Sequence, residues 1–340
     1  PEAPDLQALL ARMRDADVAV VAMEVSSHAL AQHRVDGTHF AAVCFTTLSH
    51  DHLDFHGDVA SYFGSKARLF SPEFADTAVV NLDDDHGRTL LSRVASSGLR
   101  VVTYAIEDGG ADVRATDIEV QRDGTNFTLH DGIAGRSATI ESRLLGRFNV
   151  ANALAAAATA RTIDVEFDSI VRGLGDELVV PGRLEPVVGG QPFTVLVDYA
   201  HTPDALTQAL AAARAIAEGH RVIVVFGCGG DRDRDKRRAM GSVAASGSDV
   251  AFVTNDNSRS ESPEGIVAEI LAGAAGVSVE LVVELDRRSA IRGAVAAATA
   301  GDVVLVAGKG HEATQTVMGA TMPFDDRLVA RDELRGLSWS

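Results

Sequence analysis

The densest run of residues with metal-binding chemistry is His50-Asp51-His52-Leu53-Asp54-Phe55-His56, which follows an apolar segment ending at Thr46 or Thr47. Loops that leave the carboxyl ends of strands are where α/β proteins build ligand sites. Glu24 closes an earlier apolar segment, within Met23-Glu24-Val25-Ser26-Ser27-His28, and its carboxylate would lie near that loop if the two strands are neighbours. One carboxylate and one imidazole suit Mg²⁺ or Mn²⁺ that keeps several waters for a substrate phosphate. Solvated loop histidines and helix-capping aspartates are the plainer alternatives. A zinc hydrolase fits less well, because no third His or Cys stands at a helical spacing.

A second group, Gly227-Cys228-Gly229-Gly230, ends an apolar run and precedes a helical stretch. Its spacing is wrong for a dinucleotide fingerprint, and a tight strand-to-helix turn explains it as well. Lys66, in Ser65-Lys66-Ala67-Arg68, reads by itself as a solvated helix residue. Cys44 and Cys228 are the cysteines of the chain, each inside an apolar run, which suits reduced core thiols better than a disulfide.

These groups need strands to hold them. Val18 to Val25, Ala41 to Thr46, Thr77 to Leu82 and Val101 to Ile106 read as buried strands alternating with Ala-rich helices, which predicts an α/β fold with a mostly parallel sheet. Between Asp112 and Ser142 the pattern shortens to polar/apolar alternation, and Asp123-Gly124 and Asp131-Gly132 signal turns of antiparallel edge hairpins. A helix is expected from about Asn149 to Arg161. Val179 to Arg183 then breaks the pattern, placing a domain boundary between 1–180 and 181–340. Beyond it, strands at Phe193 to Val197, Arg221 to Phe226, Asp249 to Thr254, Val279 to Val283 and Val303 to Ala307 predict a Rossmann-like domain.

The 340 residues carry a formal charge of −17, which argues against sequence-independent binding of nucleic acid, and anionic substrates would need local Arg, Lys or metal. Every long apolar run is interrupted by polar residues, and the first residues have neither a basic start nor an apolar core. A cytoplasmic protein without membrane insertion is therefore the expectation, taken as a monomer.

Taken together, Met23 to His28, Asp51-His52-Leu53-Asp54, Lys66, Phe148-Asn149, Gly182-Arg183, Asp198-Tyr199-Ala200-His201-Thr202-Pro203, Phe226 to Arg232 and Gly308-Lys309-Gly310-His311-Glu312 resemble the Mur ligase family in order and content. The match runs over nearly the whole chain and is similar above all to the UDP-N-acetylmuramoyl-tripeptide synthetases. The resemblance implies a central ATPase-type domain and a Rossmann-like C-terminal domain. It implies transfer of the ATP γ-phosphate to the glutamate carboxylate of UDP-MurNAc-L-Ala-D-Glu, then attack on the acyl phosphate by the amine of meso-diaminopimelate. It further implies Mg²⁺ as cofactor, with Glu24 and His52 as metal ligands and Lys66 as an N-carboxylated third ligand. By the same resemblance Ser26, Gln32 and Arg34 contact the muramoyl peptide, and Asn149, Arg183, Asp198 and His201 lie on the nucleotide side. Arg232, Asp256, Asn257, Ser258, Arg259, Gly308 and Glu312 then receive the incoming amino acid, and Arg259 is the candidate for the extra carboxylate of diaminopimelate, because a guanidinium pairs bidentately.

The sequence departs from the family pattern in places. Thr47 replaces a usual Asn, His50 a usual Arg, Asn255 a frequent Asp and Ser258 a usual Pro. The family's glycine-rich phosphate loop has no counterpart among these residues, so a fragment, a split gene product or a remnant with little ATP binding by itself is expected. A folylpolyglutamate synthase is disfavoured by Glu24 to His28 and by residues 256 to 261. A non-catalytic binding module that keeps only the fold stands as the alternative outside enzymology.

Overall fold

The computed structural model describes residues 2–49, 51, 53–176 and 179–337, with backbone alone at 54. The chain divides into two compact units, one formed by 1–117, 127–140 and 150–174, the other by 118–126, 141–149 and 175–340.

In the first part of the chain, α1 (Ala3–Asp15), α2 (Ser27–Ala31), β1 (Phe40–Phe45), α3 (Leu53–His56), α4 (Val59–Ala67), β2 (Ala75–Asn81), α5 (Asp85–Val94) and β3 (Arg100–Ala105) are followed by β4 (Val113–Val120), β5 (Thr125–Asp131), β6 (Arg136–Ser142), α6 (Arg147–Thr162) and α7 (Phe167–Gly175). The sheet runs β1-β2-β3-β4-β5-β6 in sequence order. β1, β2, β3 and β4 pair in parallel. The connections β4–β5 and β5–β6 are too short for a crossover and can join only antiparallel neighbours. Val43, Phe45, Phe63, Phe70, Phe74, Val80 and Leu90 form the core on which this sheet rests.

One expected strand is absent. Residues 18–25 form no ladder, and Val18, Val20 and Val21 are 46%, 64% and 43% exposed. β-branched residues favour a pleated, half-buried surface, but a strand exists only through its partner. Among the described residues β1 is the end of the sheet and pairs with β2 alone.

The second unit contains β7 (Glu185–Pro186), β8 (Thr194–Asp198), α8 (Pro203–Ala217), β9 (Val222–Phe226), α9 (Lys236–Gly247), β10 (Val250–Val253), α10 (Pro263–Ala274), β11 (Glu280–Val283), α11 (Arg287–Ala297), β12 (Val303–Ala307), the hairpin β13 (Thr314–Val317) and β14 (Ala320–Pro323), and α12 (Asp326–Arg335). Its strand order is β11-β10-β9-β12-β8-β7, parallel except where β7 meets β8. Helices cover both faces. Leu206, Leu210, Met240 and Ile270 pack with Val224 and Leu305 on one, while Ile291, Val295, Val329 and Leu334 pack with Val225 and Val306 on the other. A parallel strand buried on both sides must be apolar throughout, which is why β9 and β12 read as unbroken Val/Ile/Leu/Phe/Ala runs.

Both cysteines are free, with Cys228 buried and Cys44 partly so. Burial pushes their thiols up, to about 12 for Cys228 and about 11 for Cys44. No described helix is long and apolar enough to cross a membrane.

Candidate active site

In the first unit, polar residues gather beyond the carboxyl ends of β1 and β2. Thr47 Oγ1 and Leu48 N donate to Asp84 Oδ2 at 2.8 and 3.2 Å, while Asp84 Oδ1 caps α5 by accepting from Gly87 N at 3.0 Å. Asn81 Nδ2 donates to Thr46 O at 2.7 Å, so the loop after β1 is tied to the end of β2. Lys66, on α4, is half-buried, with its Nζ 5.4 Å from the centre of the Tyr62 ring. Burial lowers the pKa of this amine, and the charges of Glu24, Asp84 and Asp51 oppose the shift. Three carboxylates thus act on Lys66 by charge. Asp84 was not singled out by its sequence context, where an aspartate after a strand reads only as a helix cap.

Glu24 is exposed, in the unpaired segment before α2. Ser26 caps α2, its Oγ accepting from Ala29 N at 3.1 Å, and exposed Gln32 ends the same helix. Arg34 pairs with Glu2 at 2.8 Å. His56 Nε2 lies 2.9 Å from Ser27 Oγ, and the His28 ring is 4.2 Å from that of Phe55. His50 and His52 lie outside the described residues, as does the side chain of Asp54. A separate hollow of about 550 Å³, lined by Asp83, Arg88, Glu107, Asp108 and Gly109, has its strongest groups committed to the fold. Asp83 accepts from Ile106 N and Glu107 N, and Arg88 donates to Leu82 O and to Asp85.

In the second unit Asp198 closes β8 and accepts from Leu184 N at 2.7 Å and Ala200 N at 2.8 Å. Burial holds its carboxyl above the usual range in spite of these amides and of Arg183 and His201 nearby. Asp198 therefore braces the loop that carries Arg183, whose guanidinium lies 5.0 Å over the Tyr199 ring. His201 Nδ1 is 2.8 Å from Tyr199 O, and the Tyr199 ring is 5.3 Å from that of His311. Gly182 has φ +69°, and a Cβ there would stand 2.2 Å from His311 N. Only glycine allows this approach. Buried Asn149, in the first turn of α6, donates from Nδ2 to Leu145 O at 2.9 Å, just before that helix begins.

The connections reverse direction between β9 and β12, the kind of place where open α/β sheets bind ligands. Their outgoing loops, Gly227 to Arg232 and Gly308 to Glu312, meet the loop after β10, which carries residues 255–259. Gly308 has φ +119°, and a Cβ there would stand 2.7 Å from Asp256 Oδ2. Asp256 Oδ1 accepts from Asn257 N at 2.6 Å, and Asn257 Nδ2 donates to Glu312 Oε2 at 2.9 Å. Arg259 adopts φ +52° and donates from its NH1 to Gly230 O. Its backbone is clamped, with N donating to Thr316 O at 3.1 Å and O accepting from Gly319 N at 2.8 Å. A left-handed arginine costs about 1–2 kcal/mol, which the hairpin contacts offset. Beneath the loop, fully buried Arg287 pairs with Asp326 at 2.7 Å and donates to Ala307 O at 2.9 Å. Arg232 is exposed. Ser258 Oγ and Asn255 Oδ1 are buried polar atoms with no hydrogen-bond partner among the described residues. Asp256, Asn257, Ser258, Arg259, Gly308 and Glu312 thus come together. The hairpin β13–β14 and Lys309, which complete the cluster, carried no distinctive signal beyond lying next to Gly308.

Two α/β units, each gathering charged and polar groups at the carboxyl ends of parallel strands, define a protein of the multidomain α/β ligand-binding class. The description Mur ligase middle domain matches residues 1–160, and that of the Mur ligase glutamate ligase domain matches residues 182–310. A UDP-N-acetylmuramoyl-L-alanyl-D-glutamate–2,6-diaminopimelate ligase of Streptomyces avermitilis is 47% identical over 98% of this chain and 66% of its own length. The ligase of the same name from Gloeobacter violaceus is 48% identical over 98% of this chain and 67% of its own. A solved structure of a ligase of that name superposes with a TM-score of 0.67 at 35% identity, covering 99% of this chain and 68% of the other. The chain belongs to the Mur ligase family, and it spans about two thirds of the length of the curated relatives it matches.

Proposed function

We propose that this protein joins meso-diaminopimelate to UDP-MurNAc-L-Ala-D-Glu at the expense of ATP, through an acyl phosphate, as a cytoplasmic and monomeric enzyme of peptidoglycan synthesis. The proposed domains are 1–180 and 181–340. The observation that carries this reading is the cluster at the reversal of the second sheet, where Arg259, Asn257, Asp256 and Glu312 stand together around Gly308. Diaminopimelate carries two carboxylates and two amines. Arg259 keeps Nε and NH2 beside the NH1 that reaches Gly230 O, and that edge is the fork a carboxylate accepts bidentately. Glu312 and Asp256 suit the ammonium groups, and Arg232 the remaining carboxylate.

On the first unit, no group of three or more His, Cys, Asp or Glu among the described residues is gathered to hold a metal ion. The proposed cation site therefore rests on the family resemblance, supported by the carboxylate charges of Glu24, Asp84 and Asp51 that act on Lys66. Glu24 and, beyond the described residues, His52 would hold the cation, and bound Mg²⁺ would supply neutralisation of phosphate charge. Burial favours the neutral amine of Lys66, the form that can add CO₂. The nitrogen lone pair makes the N–C bond, a proton leaves, and an anionic carbamate results. Ser26, Gln32 and Arg34 would orient the muramoyl peptide, and Asn149, Arg183, Asp198 and His201 the nucleotide.

The test is to supply ATP, Mg²⁺, the UDP-linked dipeptide and either meso-diaminopimelate or lysine, and to follow phosphate release and tripeptide formation. Little turnover is expected of these 340 residues by themselves; with the phosphate-loop segment of an active diaminopimelate-adding relative supplied, tripeptide with diaminopimelate only is expected. Preference for lysine would remove the assignment of Arg259. Transplanting residues 256–261 into an active diaminopimelate-adding relative tests that assignment apart from the rest of the chain.

A further inference from the structure

Lys309 is fully buried, in a motif whose glycines superficially suggest a phosphate-binding lysine. Its Nζ donates to Thr314 O at 2.6 Å, Glu312 Oε2 at 3.1 Å and Asn257 Oδ1 at 3.5 Å. An ammonium has three donors, so these acceptors use its full capacity and leave nothing for a phosphate or a substrate. Whatever Lys309 does, it does through its partners. Glu312 Oε2 receives both Lys309 Nζ and Asn257 Nδ2, while Oε1 has no partner among the described residues and the side chain is 35% exposed. Thr316 N donates to Asn257 Oδ1 at 2.9 Å, which fixes the orientation of the amide and aims its Nδ2 at Glu312.

We infer that Lys309 is a positioning residue for recognition of the incoming amino acid, holding Glu312 so that Oε1 is presented to an ammonium group of that substrate. The inference rests on the proposed function of this pocket and adds to it the residue that sets its geometry. A flexible carboxylate would lose rotamer freedom on binding. Lys309 and Asn257 remove that freedom beforehand, and the anchor on Thr314 O ties the arrangement to β13. The effect belongs in substrate binding, because Oε1 would contact the amino acid before and during the reaction alike.

The experiment is a double-mutant cycle on the full chain supplied with the phosphate-loop segment of an active diaminopimelate-adding relative, with Lys309→Met, Glu312→Gln and the double variant, reading KM for meso-diaminopimelate, kcat and the thermal midpoint. Lys309→Met is expected to raise KM about tenfold with kcat within about threefold of wild type. In the Glu312→Gln background the same change is expected to raise KM by less than about threefold. Lys309→Gln, which keeps a donor of shorter reach, is expected to recover part of the affinity, and it carries the same cycle if Lys309→Met does not fold. Equal increases in both backgrounds, an unchanged KM, or a loss confined to kcat would overturn the inference while leaving the pocket's function intact. Absence of any diaminopimelate-dependent turnover in the wild type when the phosphate-loop segment is supplied would remove the functional reading, and this inference with it.

Discussion

The acids that act on Lys66 and the pocket around Asn257 are held in opposite ways. In the first, Glu24 is exposed on a segment that pairs with no strand, and its influence on Lys66 is one of charge. In the second, Asn257, Lys309 and Glu312 are fixed to one another and to the hairpin at hydrogen-bond distance, above the buried pair of Arg287 and Asp326. The first brings carboxylate charge to bear on Lys66, and the cation proposed for it would have to complete its own coordination. The second holds its donors and acceptors rigid in advance, as the proposed recognition of an organic molecule by shape and direction would require.

The largest effect expected from breaking this contrast is at Arg287. Arg287→Met would leave Asp326 buried without its partner and is expected to cost about 3–5 kcal/mol of stability in urea unfolding. A cost below about 1 kcal/mol would mean that the pair is not what holds the floor of the pocket. Lys66→Ala should do the reverse, lowering kcat by on the order of 100-fold or more with little change in unfolding midpoint, if Lys66 carries the carbamate. A carbamate carbon signal after equilibration with ¹³C-bicarbonate is expected in the wild type and absent from the variant. Its absence from an active wild type would remove Lys66 from the metal set.

A smaller and pH-dependent effect is expected at Glu261, which accepts from fully buried Arg237 at 2.8 Å. Hydrogen bonds from Arg237, then from the Asp231 amide, hold its carboxyl down at about 2, against an ordinary value of 4.5. A carboxyl depressed in the folded state contributes stability that is fully present above its unfolded value and lost as pH falls. The window is thus from about pH 4.5 down to about 2. Glu261→Gln should flatten the fall in stability over that range, and an unchanged acid profile would show that other groups govern it. The smallest effect is at Ser258, whose buried hydroxyl lacks a partner. Ser258→Pro removes that group and restricts the unfolded chain, and it is expected to raise stability by about 1 kcal/mol without changing the choice of amino acid. A loss of stability would mean that the loop backbone cannot accept the φ of proline.

The apolar runs and their β-branched content were enough to specify most of the strands, because a strand buried on both faces of a parallel sheet has no polar alternative. The same reasoning failed at Val18 to Val25, since the run states a preference while pairing depends on a neighbour that local sequence does not contain. The residues around Gly308 could be read as a set, because each motif follows a strand and strand ends are where such sheets bind ligands. Their connections could not. Asp84 tying down the loop after β1, Asn257 joined to Glu312, and Arg259 clamped by a hairpin some sixty residues further on arise from side chains brought together over long sequence separations. Sequence by itself determined which residue types were available at the strand ends. Tertiary structure decided which of them brace one another and which are left to meet a ligand, because a donor's role depends on which acceptors the fold places within about 3 Å of it.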